Sequence, residues 1–476
     1  MATTRITFTE WLPDQPGVAG AMTEAKNVYP IANGYGSLPL EVDLSTNATE
    51  NLNNIFAAKN NTATLLFAAG ATKLFKYNSA TTNLDNVSKA GGYTTATGER
   101  TFFTQFGNTI ITANGTDKLQ AFTVGSSSLF ADVAAAAPTA HYVTVVRDFV
   151  VAANELSYPN RVYWSDINDE TDWTPGATSQ SDFQDLADGG DVMGISGGEF
   201  GLILTERSVV RMSYIGSPFF FQFDTIARGL GCITPNSISQ YASTTFFLSD
   251  DGFYSCDGQA VKSIGSEKVD RFFFADVNLS KINEMSCAVD PVKKLVIWNY
   301  TDNFAQKKQL IYNILLGRWS YAETTASFIN NVYTPSLALE NLDIYGTLDS
   351  LGVSLDSRQW AGGALLLAGV TNAKAISFTG ARKTGSLITG DFGVPNAQSV
   401  ATLAKPVIDN GSATIAIASR LNLNGALTFS TAIAADSENR VGVRSAGRYH
   451  RIKTVPTGLW TSALAVDVDI APQGTR

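Results

Sequence analysis

The sequence predicts an all-β protein, a β-propeller with an additional small antiparallel β domain. Two observations lead to this fold class: short apolar strands recur along the chain, each followed by a turn and a second strand, and helical periodicity is almost absent. Three regions follow from them. We expect an extended N-terminal arm over residues 1–40, the propeller over 41–375 and the C-terminal β domain over 376–476.

The recurring strand pair is the main evidence for the propeller. Each unit has a continuously apolar first strand, a turn rich in Gly, Asn or Asp, and a second strand that often alternates, as in 73–77. The centres of the first strands are about 46 residues apart on average, at Phe67, Ile110, Val150, Ile203, Phe247, Ile297 and Ile344. Four-stranded propeller blades repeat at roughly 40 to 50 residues.

This spacing predicts six to eight blades, with seven favoured. Because the first strand of each unit is apolar throughout, we interpret it as the inner strand, buried on both faces. A pair of β-sandwiches is the alternative, since hairpins at ordinary spacing also produce short strands, with turns every ~8–12 residues but no longer period.

The two ends of the chain differ from the middle. Prolines and aromatic residues punctuate 11–16 and 27–39, and proline disfavours both helix and central strand. An arm lying across another domain or subunit is one interpretation, and an ordinary irregular terminus is the other. After residue 376, short alternating runs predict an antiparallel β domain. They are 413–418, 426–433, 440–444, 449–454 and 463–470.

Composition excludes several classes of protein. The net charge of −9 argues against a general nucleic-acid binder, which needs a basic surface. Three cysteines are too few for a disulfide scaffold in a chain of 476 residues. The longest apolar run, 364–370, is too short to cross a bilayer, so we expect no membrane insertion.

Potential catalytic residues are few. His141 and His450 are the two histidines of the chain, and neither has a partner at motif spacing. The run Gly194–Gly198 fits the G-x-S-x-G pattern around Ser196, but a strand-like segment follows where a nucleophile elbow needs a helix. We interpret it as a glycine-rich turn entering a strand.

The sequence evidence for a metal site is equally weak. Cys232, Cys256 and Cys287 are far apart and without a nearby histidine, which indicates small buried hydrophobic residues. The acidic stretch 166–172 lacks the glycine and spacing of an EF-hand, which favours a solvated loop over a calcium site. The sequence therefore predicts no catalytic, cofactor-binding or metal-binding residues, and no cofactor.

The C-terminal region concentrates positive charge in an acidic protein. The residues are Arg444, Arg448, Arg451 and Lys453. We expect a solvated strand face with ion pairs to Asp467 and Asp469, and a functional basic patch is the alternative.

Several runs resemble one family when they are taken in their order along the chain. The runs are Trp11–Asp14, Asn27–Tyr35, Pro159–Ser165, Gly229–Ser237, Leu248–Tyr254 and Ser445–Asp469. The chain resembles the tail nozzle proteins of short-tailed bacteriophages, also called hub, tail tubular protein B or phage stabilisation proteins. The resemblance covers most of the chain, although the chain is shorter than the larger nozzle proteins.

The resemblance implies a β-propeller with a platform-type β domain, in a structural virion protein without enzymatic activity. It implies a homohexameric ring in the viral tail, assembled in the host cytoplasm below the adaptor and portal proteins. The ring would be a conduit and gate for DNA ejection, through which double-stranded DNA passes without specific binding. Tail fibre, needle or plug proteins are the further expected partners.

A propeller-type tail enzyme or receptor-binding protein acting on host surface glycans is the alternative function. A glycosidase needs two facing carboxylates, which the sequence cannot identify. The Asp-box of sialidase-like propellers has the pattern Ser-x-Asp-x-Gly, and the run Ser249–Gly252 places its glycine one residue early.

Overall fold

The computed structural model of the chain combines a seven-bladed propeller with a two-sheet platform. It describes residues 2–15, 20–60, 64–96, 98–334, 363, 365–394 and 397–473. Five strands precede the first blade: β1 (Ala2–Thr7), β2 (Glu24–Lys26), β3 (Val28–Ile31), β4 (Gly34–Ser37) and β5 (Val42–Asp43).

The first four blades are consecutive four-stranded antiparallel sheets. Blade 1 contains β6 (Leu52–Lys59), β7 (Thr64–Gly70), β8 (Leu74–Tyr77) and β9 (Leu84–Asn86). Blade 2 contains β10 (Phe102–Phe106), β11 (Thr109–Ala113), β12 (Gln120–Thr123) and β13 (Ala131–Asp132). Blade 3 contains β14 (Ala140–Val146), β15 (Phe149–Glu155), β16 (Tyr158–Trp164) and β17 (Asp182–Asp185). Blade 4 contains β18 (Val192–Ser196), β19 (Gly201–Thr205), β20 (Ser208–Gly216) and β21 (Phe220–Arg228).

The remaining blades include the short helices. A 3-10 helix (Pro235–Ser237) precedes blade 5, which contains β22 (Ser239–Tyr241), β23 (Thr244–Leu248), β24 (Phe253–Cys256) and β25 (Val261–Ser263). Helix α1 (Asp270–Asp276) and a second 3-10 helix (Leu279–Glu284) lead to blade 6. It contains β26 (Ser286–Asp290), β27 (Leu295–Thr301), β28 (Lys307–Asn313) and β29 (Arg318–Glu323). Blade 7 contains β30 (Phe328–Tyr333), β31 (Leu365–Thr371), β32 (Lys374–Ser377) and β5.

Blade 7 closes the propeller with a strand from the N-terminal side of the chain. Its outer strand is β5, where Val42 and Asp43 pair with Ser377 and Ile376. Its inner strand β30 packs against β6 of blade 1, and Asn330 Nδ2 donates a 2.9 Å hydrogen bond to Ile55 O. The prediction of a propeller with seven blades favoured is therefore confirmed by the sheet topology, and the β-sandwich alternative is wrong.

The apolar strands of the sequence repeat occupy a different place from the one expected. The first six repeat centres lie on the second strand of each blade, from β7 to β27, and not on the inner strand. A second strand has a neighbour on each side and a blade against each face, and β27 is accordingly buried along its whole length. The inner strand β10 is half-buried throughout. The seventh centre, Ile344, lies outside the described residues.

The platform is built from both ends of the chain. Its C-terminal strands are β33 (Ser386–Ile388), β34 (Gln398–Asp409), β35 (Ser412–Arg420), β36 (Ile433–Ala434), β37 (Val441–Gly447), β38 (Tyr449–Thr457) and β39 (Ser462–Gln473). One sheet has the order β3-β4-β39-β34-β37, with β1 also paired to β39. The other has the order β2-β33-β38-β35-β36.

The expected N-terminal arm is therefore replaced by strands. Six residues of β1 pair with β39, from Ala2 opposite Ile470 to Thr7 opposite Ala465. Pro30 is accommodated because β3 is the edge strand of its sheet, where a missing backbone N–H costs no ladder hydrogen bond. The expected boundary at residue 376 also falls inside β32, so the last propeller strand extends past it.

Strand β2 joins propeller and platform into one continuous sheet. It is parallel to β29 of blade 6 at Lys26 and Tyr321, and antiparallel to β33 of the platform, which gives nine strands in all. A buried ion pair reinforces the junction. Lys383 Nζ lies 2.8 Å from Glu41 Oε1, with the two side chains only 6% and 10% exposed. Within the described ranges, no helix is both long and apolar enough to cross a membrane.

Candidate functional site

The serine of the G-x-S-x-G run is buried on blade 4, where it contacts blade 5, and the glycine after it lies against blade 3. Ser196 ends β18, and its Oγ accepts a 2.9 Å hydrogen bond from Thr245 Oγ1. A Cβ on Gly197 would lie 2.1 Å from Val145 O, so glycine is needed for the blades to approach. Strand β19 follows, not a helix. The glycines therefore serve blade packing, and the run forms no nucleophile elbow.

The two histidines lie in different parts of the molecule. His141 is on β14 of blade 3 and is half-buried, with Nδ1 2.9 Å from Asn154 O. His450 is fully buried in the platform, with Nε2 2.9 Å from Ser399 Oγ and Nδ1 2.6 Å from Ser419 Oγ. Burial lowers the pKa of His450, which favours a neutral ring held between two hydroxyls. This arrangement orders the platform core.

The cysteines are buried, and acidic side chains of 166–172 accept hydrogen bonds from nearby backbone groups. Cys232, Cys256 and Cys287 are free and buried, and burial raises the pKa of the Cys232 thiol to about 11. In the acidic loop, Asp166 accepts from Gln180 N and Asp169 from Thr171 N, both at 2.8 Å. Among the residues that the structure describes, no group of three or more His, Cys, Asp or Glu could hold a metal ion.

The basic C-terminal residues pair differently from the expectation. Arg451 Nη2 lies 2.8 Å from Asp391 Oδ2, and Arg420 shares the same carboxylate at 2.6 Å. Asp467 pairs instead with Arg5 of β1, at 2.8 Å. The expected pairing of the basic residues with Asp467 and Asp469 is thus wrong, because β1 lies beside β39 and takes that position. The remaining residues are Arg444 and Arg448, which are exposed, and Lys453, which is half-buried.

The junction of propeller and platform is built by the N-terminal segment. Trp11 is 1% exposed and packs on Phe272 and Tyr321, with ring centroids 5.1 and 5.2 Å apart. Asp14 caps helix α1, because its carboxylate accepts hydrogen bonds from the backbone N–H of Arg271 and Phe272 at 2.9 and 2.7 Å. The start of the chain thereby holds a helix between blades 5 and 6.

Helix α1 begins with a buried carboxyl group that the sequence did not reveal. Asp270 is 8% exposed and accepts a 3.1 Å hydrogen bond from Phe253 N. A Cβ on Gly252 or Gly265 would lie within 2.2 Å of its oxygens, so both glycines make room for it. Burial raises the pKa of Asp270 to about 7, with Asp14 nearby adding to the effect.

A cavity of about 540 Å³ opens beside the inner strands at one face of the propeller. Arg100, just before β10 of blade 2, is 8% exposed and reaches across it to three other blades. Its guanidinium donates to Asn53 O of blade 1 at 3.4 Å and to Glu284 O before blade 6, and lies 4.6 Å from the Phe328 ring of blade 7. Burial lowers the pKa of Arg100 to about 10. Arg100 thus ties four blades together at the propeller axis.

The wall of this axial cavity carries polar groups without partners. Asn53 Oδ1 and Thr95 Oγ1 are buried, and neither has a hydrogen-bond partner among the residues described. Glu99 also lines the cavity, and Glu284 lies there in an ion pair with Lys307 at 3.0 Å. The cavity can therefore both donate and accept hydrogen bonds. No sequence pattern indicates this cavity, since its lining residues come from six separate segments of the chain.

Comparison with known proteins returns no family model and no curated protein that matches this chain. Similar solved structures include the N-terminal domain of Nup159, with 8% identity over 75% of this chain and 99% of that one, at a TM-score of 0.40. A 6-phosphogluconolactonase-like protein of Bacteroides fragilis has 12% identity over 61% and 96%, also at 0.40. The designed Ika8 protein has 9% identity over 72% and 100%, at 0.39. The fold assignment rests on the sheet topology described above.

Proposed function

We propose that this chain is a structural virion protein that forms the tail nozzle ring of a short-tailed phage. One observation carries the proposal: residues of the runs that resemble the nozzle family also build the junction between propeller and platform. Trp11 packs there, Asp14 caps α1, and Tyr35 is fully buried, with its hydroxyl donating to Thr9 O at 2.8 Å. These residues hold the propeller and the platform rigidly together, and a subunit of a tail ring needs this rigidity during DNA ejection.

The axis of the propeller is a poor path for DNA. A duplex is about 20 Å wide. Arg100 reaches from blade 2 to blades 1, 6 and 7 at the axis, which leaves no opening of that size there. A conduit must then lie between several copies of the chain, arranged in a cyclic ring.

The charge of the chain suits a passage through which DNA slides. The chain carries 43 acidic and 34 basic residues. A cationic wall would retain the phosphate backbone through counterion release, whereas an acidic or neutral wall does not. We expect the adaptor and portal side of the tail to bind one end of the ring.

Electron microscopy of the purified protein, and of virions labelled with antibodies against it, tests this proposal. We expect closed rings of six copies in solution or on the adaptor, and label at the tail. Label elsewhere on the virion, or a protein that stays monomeric within the particle, would contradict the nozzle.

A glycan-binding tail component is the second candidate, and the axial cavity is the observation that favours it. The hydroxyl groups of a sugar both donate and accept hydrogen bonds. The cavity offers partners of both kinds, since its lining includes Asn53, Thr95, Glu99 and Arg100. Incubation with host polysaccharide, followed by measurement of reducing ends and of bound glycan, separates the two candidates. The nozzle proposal expects neither cleavage nor binding at the cavity.

A further inference from the structure

The platform carries a long exposed segment without charge. Residues 421–434, which run from the end of β35 through the edge strand β36, contain no charged side chain. Leu421, Leu423 and Ile433 are 55%, 54% and 46% exposed. These side chains give the exposed segment an apolar character, and exposed apolar surface is a feature of interaction sites. We call this segment the platform loop.

A basic residue, Arg448, flanks the platform loop. Arg448 N donates a 3.0 Å hydrogen bond to Arg420 O, which places Arg448 beside Leu421. Arg444 lies on β37, on the face opposite to that of its neighbour Ser445, whose hydroxyl is 2.7 Å from Ser419 Oγ, so Arg444 points away from the loop. Both arginines are exposed, and neither forms an ion pair within the described part of the chain. The loop therefore exposes apolar side chains and has an arginine, Arg448, at its border.

A groove on the outer side of blades 3 and 4 has the complementary character. It measures about 520 Å³ and lies between β17 and the β20–β21 hairpin. Its floor includes Leu186, Val210 and Phe221, which are buried. Its wall includes Ile215 and Phe219, which are 52% and 73% exposed. We call this the blade groove.

The border of the blade groove is acidic. Asp182, Asp185, Asp188 and Asp224 are exposed on β17, the segment after it and β21. Arg161 pairs with Asp185 at 2.5 Å and Arg228 with Asp188 at 3.8 Å, which leaves an excess of negative charge. Complementary charge at the border of an apolar contact selects the partner and its orientation.

We propose that the platform loop of one copy of this chain docks into the blade groove of the next copy. The loop supplies leucines to a groove that exposes Phe219, and Arg448 meets the acidic border. Since the two surfaces are different and lie on different parts of the chain, the contact is head-to-tail, and its repetition closes into a ring or continues as a filament. The contact itself is argued from these surfaces; its closure into a ring rests on the function proposed above.

Cross-linking between two variants tests this contact. Phe219→Cys and Leu423→Cys are made separately in the full chain, mixed, and treated with a short bis-maleimide. We expect a covalent dimer in the mixture and much less in either variant on its own. The three native cysteines are buried, so they react little. The control pair is Phe304→Cys with Leu459→Cys, whose parent side chains are 81% and 73% exposed but lie outside both surfaces.

Charge substitution gives an independent measurement. Phe219→Asp and Leu423→Asp change exposed side chains, so both variants should fold, with an unchanged circular dichroism spectrum. Each should lose most of the assembly seen by sedimentation. Equal cross-linking of the test and control pairs, persistent assembly of either Asp variant, or a wild-type protein that never associates would overturn the contact. A cross-linked assembly that is absent from virion tails would instead contradict the nozzle and leave the contact standing.

Discussion

Substitution of Asp270 by Asn should remove a pH-dependent loss of stability. The carboxyl group at the start of α1 is buried, and its pKa is raised from near 3.8 to about 7. Asparagine has nearly the same shape, and its carbonyl oxygen can keep accepting from Phe253 N. The substitution therefore removes the ionisation and keeps the packing.

The size of the effect follows from the two pKa values. An acid whose pKa is raised on folding makes the folded state bind more protons than the unfolded state, so stability falls as the pH rises. The loss begins near the unfolded value and is complete once the pH exceeds about 7. Between pH 5 and pH 8 the wild type should lose about 2 to 3 kcal/mol more than the Asp270→Asn variant.

Urea unfolding of both proteins at pH 5 and pH 8 measures this difference. All other titrating groups are shared, so their contributions cancel when the two proteins are compared at each pH. The control is Asp148→Asn, in an exposed turn of blade 3, which should follow the wild type. Parallel pH profiles for wild type and Asp270→Asn would refute the assignment of a neutral buried acid at the start of α1.

Four further changes have expected outcomes. Glu41→Ala should cost about 3 to 5 kcal/mol in thermal or urea unfolding, because it leaves Lys383 buried and unpaired, and Lys383→Met in the same chain should restore much of the loss. His450→Ala should cost about 1 to 3 kcal/mol, since the buried Ser399 and the half-buried Ser419 each lose a hydrogen bond to the ring, yet virions assembled from the variant should stay infective. Asp14→Ala should cost about 1 kcal/mol through the lost cap, measured by thermal unfolding. Deletion of residues 2–7 should expose β39 and destabilise the platform, and limited proteolysis that leaves the platform intact would contradict the paired role of β1.

The fold class can be predicted because a strand that is buried on both faces appears in the sequence as a continuous apolar run. A strand such as β27 lies between two strands and between two blades, so most of its side chains are apolar, and the repeat marks the second strand in six of the seven blades. The position of that strand within the blade cannot be predicted from the sequence. An inner strand and a second strand are distinguished by which strands lie beside them in the folded chain, and a local sequence pattern does not contain this information. The count of seven therefore came out right, and the order of strands within a blade did not.

The platform was only partly predictable for similar reasons. Strand β34, which pairs with both β37 and β39, was missed because a register shift between Ala401 and Leu403 interrupts the alternation of buried residues. Pro30 predicts an arm at the position of β3, whereas the structure accommodates this proline at a sheet edge.

The candidate site was less accessible still to sequence reasoning. Arg100 is isolated in the sequence, and its partners are backbone oxygens and a ring on three other blades. Asp391 pairs with Arg420 and Arg451, which are 29 and 60 residues further along. Local charge patterns cannot identify contacts of this range, since only the folded chain brings the groups together.

The pairing of β1 with β39 also fixes the order in which the molecule can be completed. The two strands are more than 450 residues apart, as the 466-residue separation of Thr3 and Asp469 shows. At roughly 5 to 20 residues per second, synthesis of the intervening chain takes on the order of 20 to 90 seconds. During that time β1 has no partner strand, and β5 must likewise wait for β32. The propeller therefore cannot reach its final form before β32 has been synthesised, and the platform cannot do so before β39.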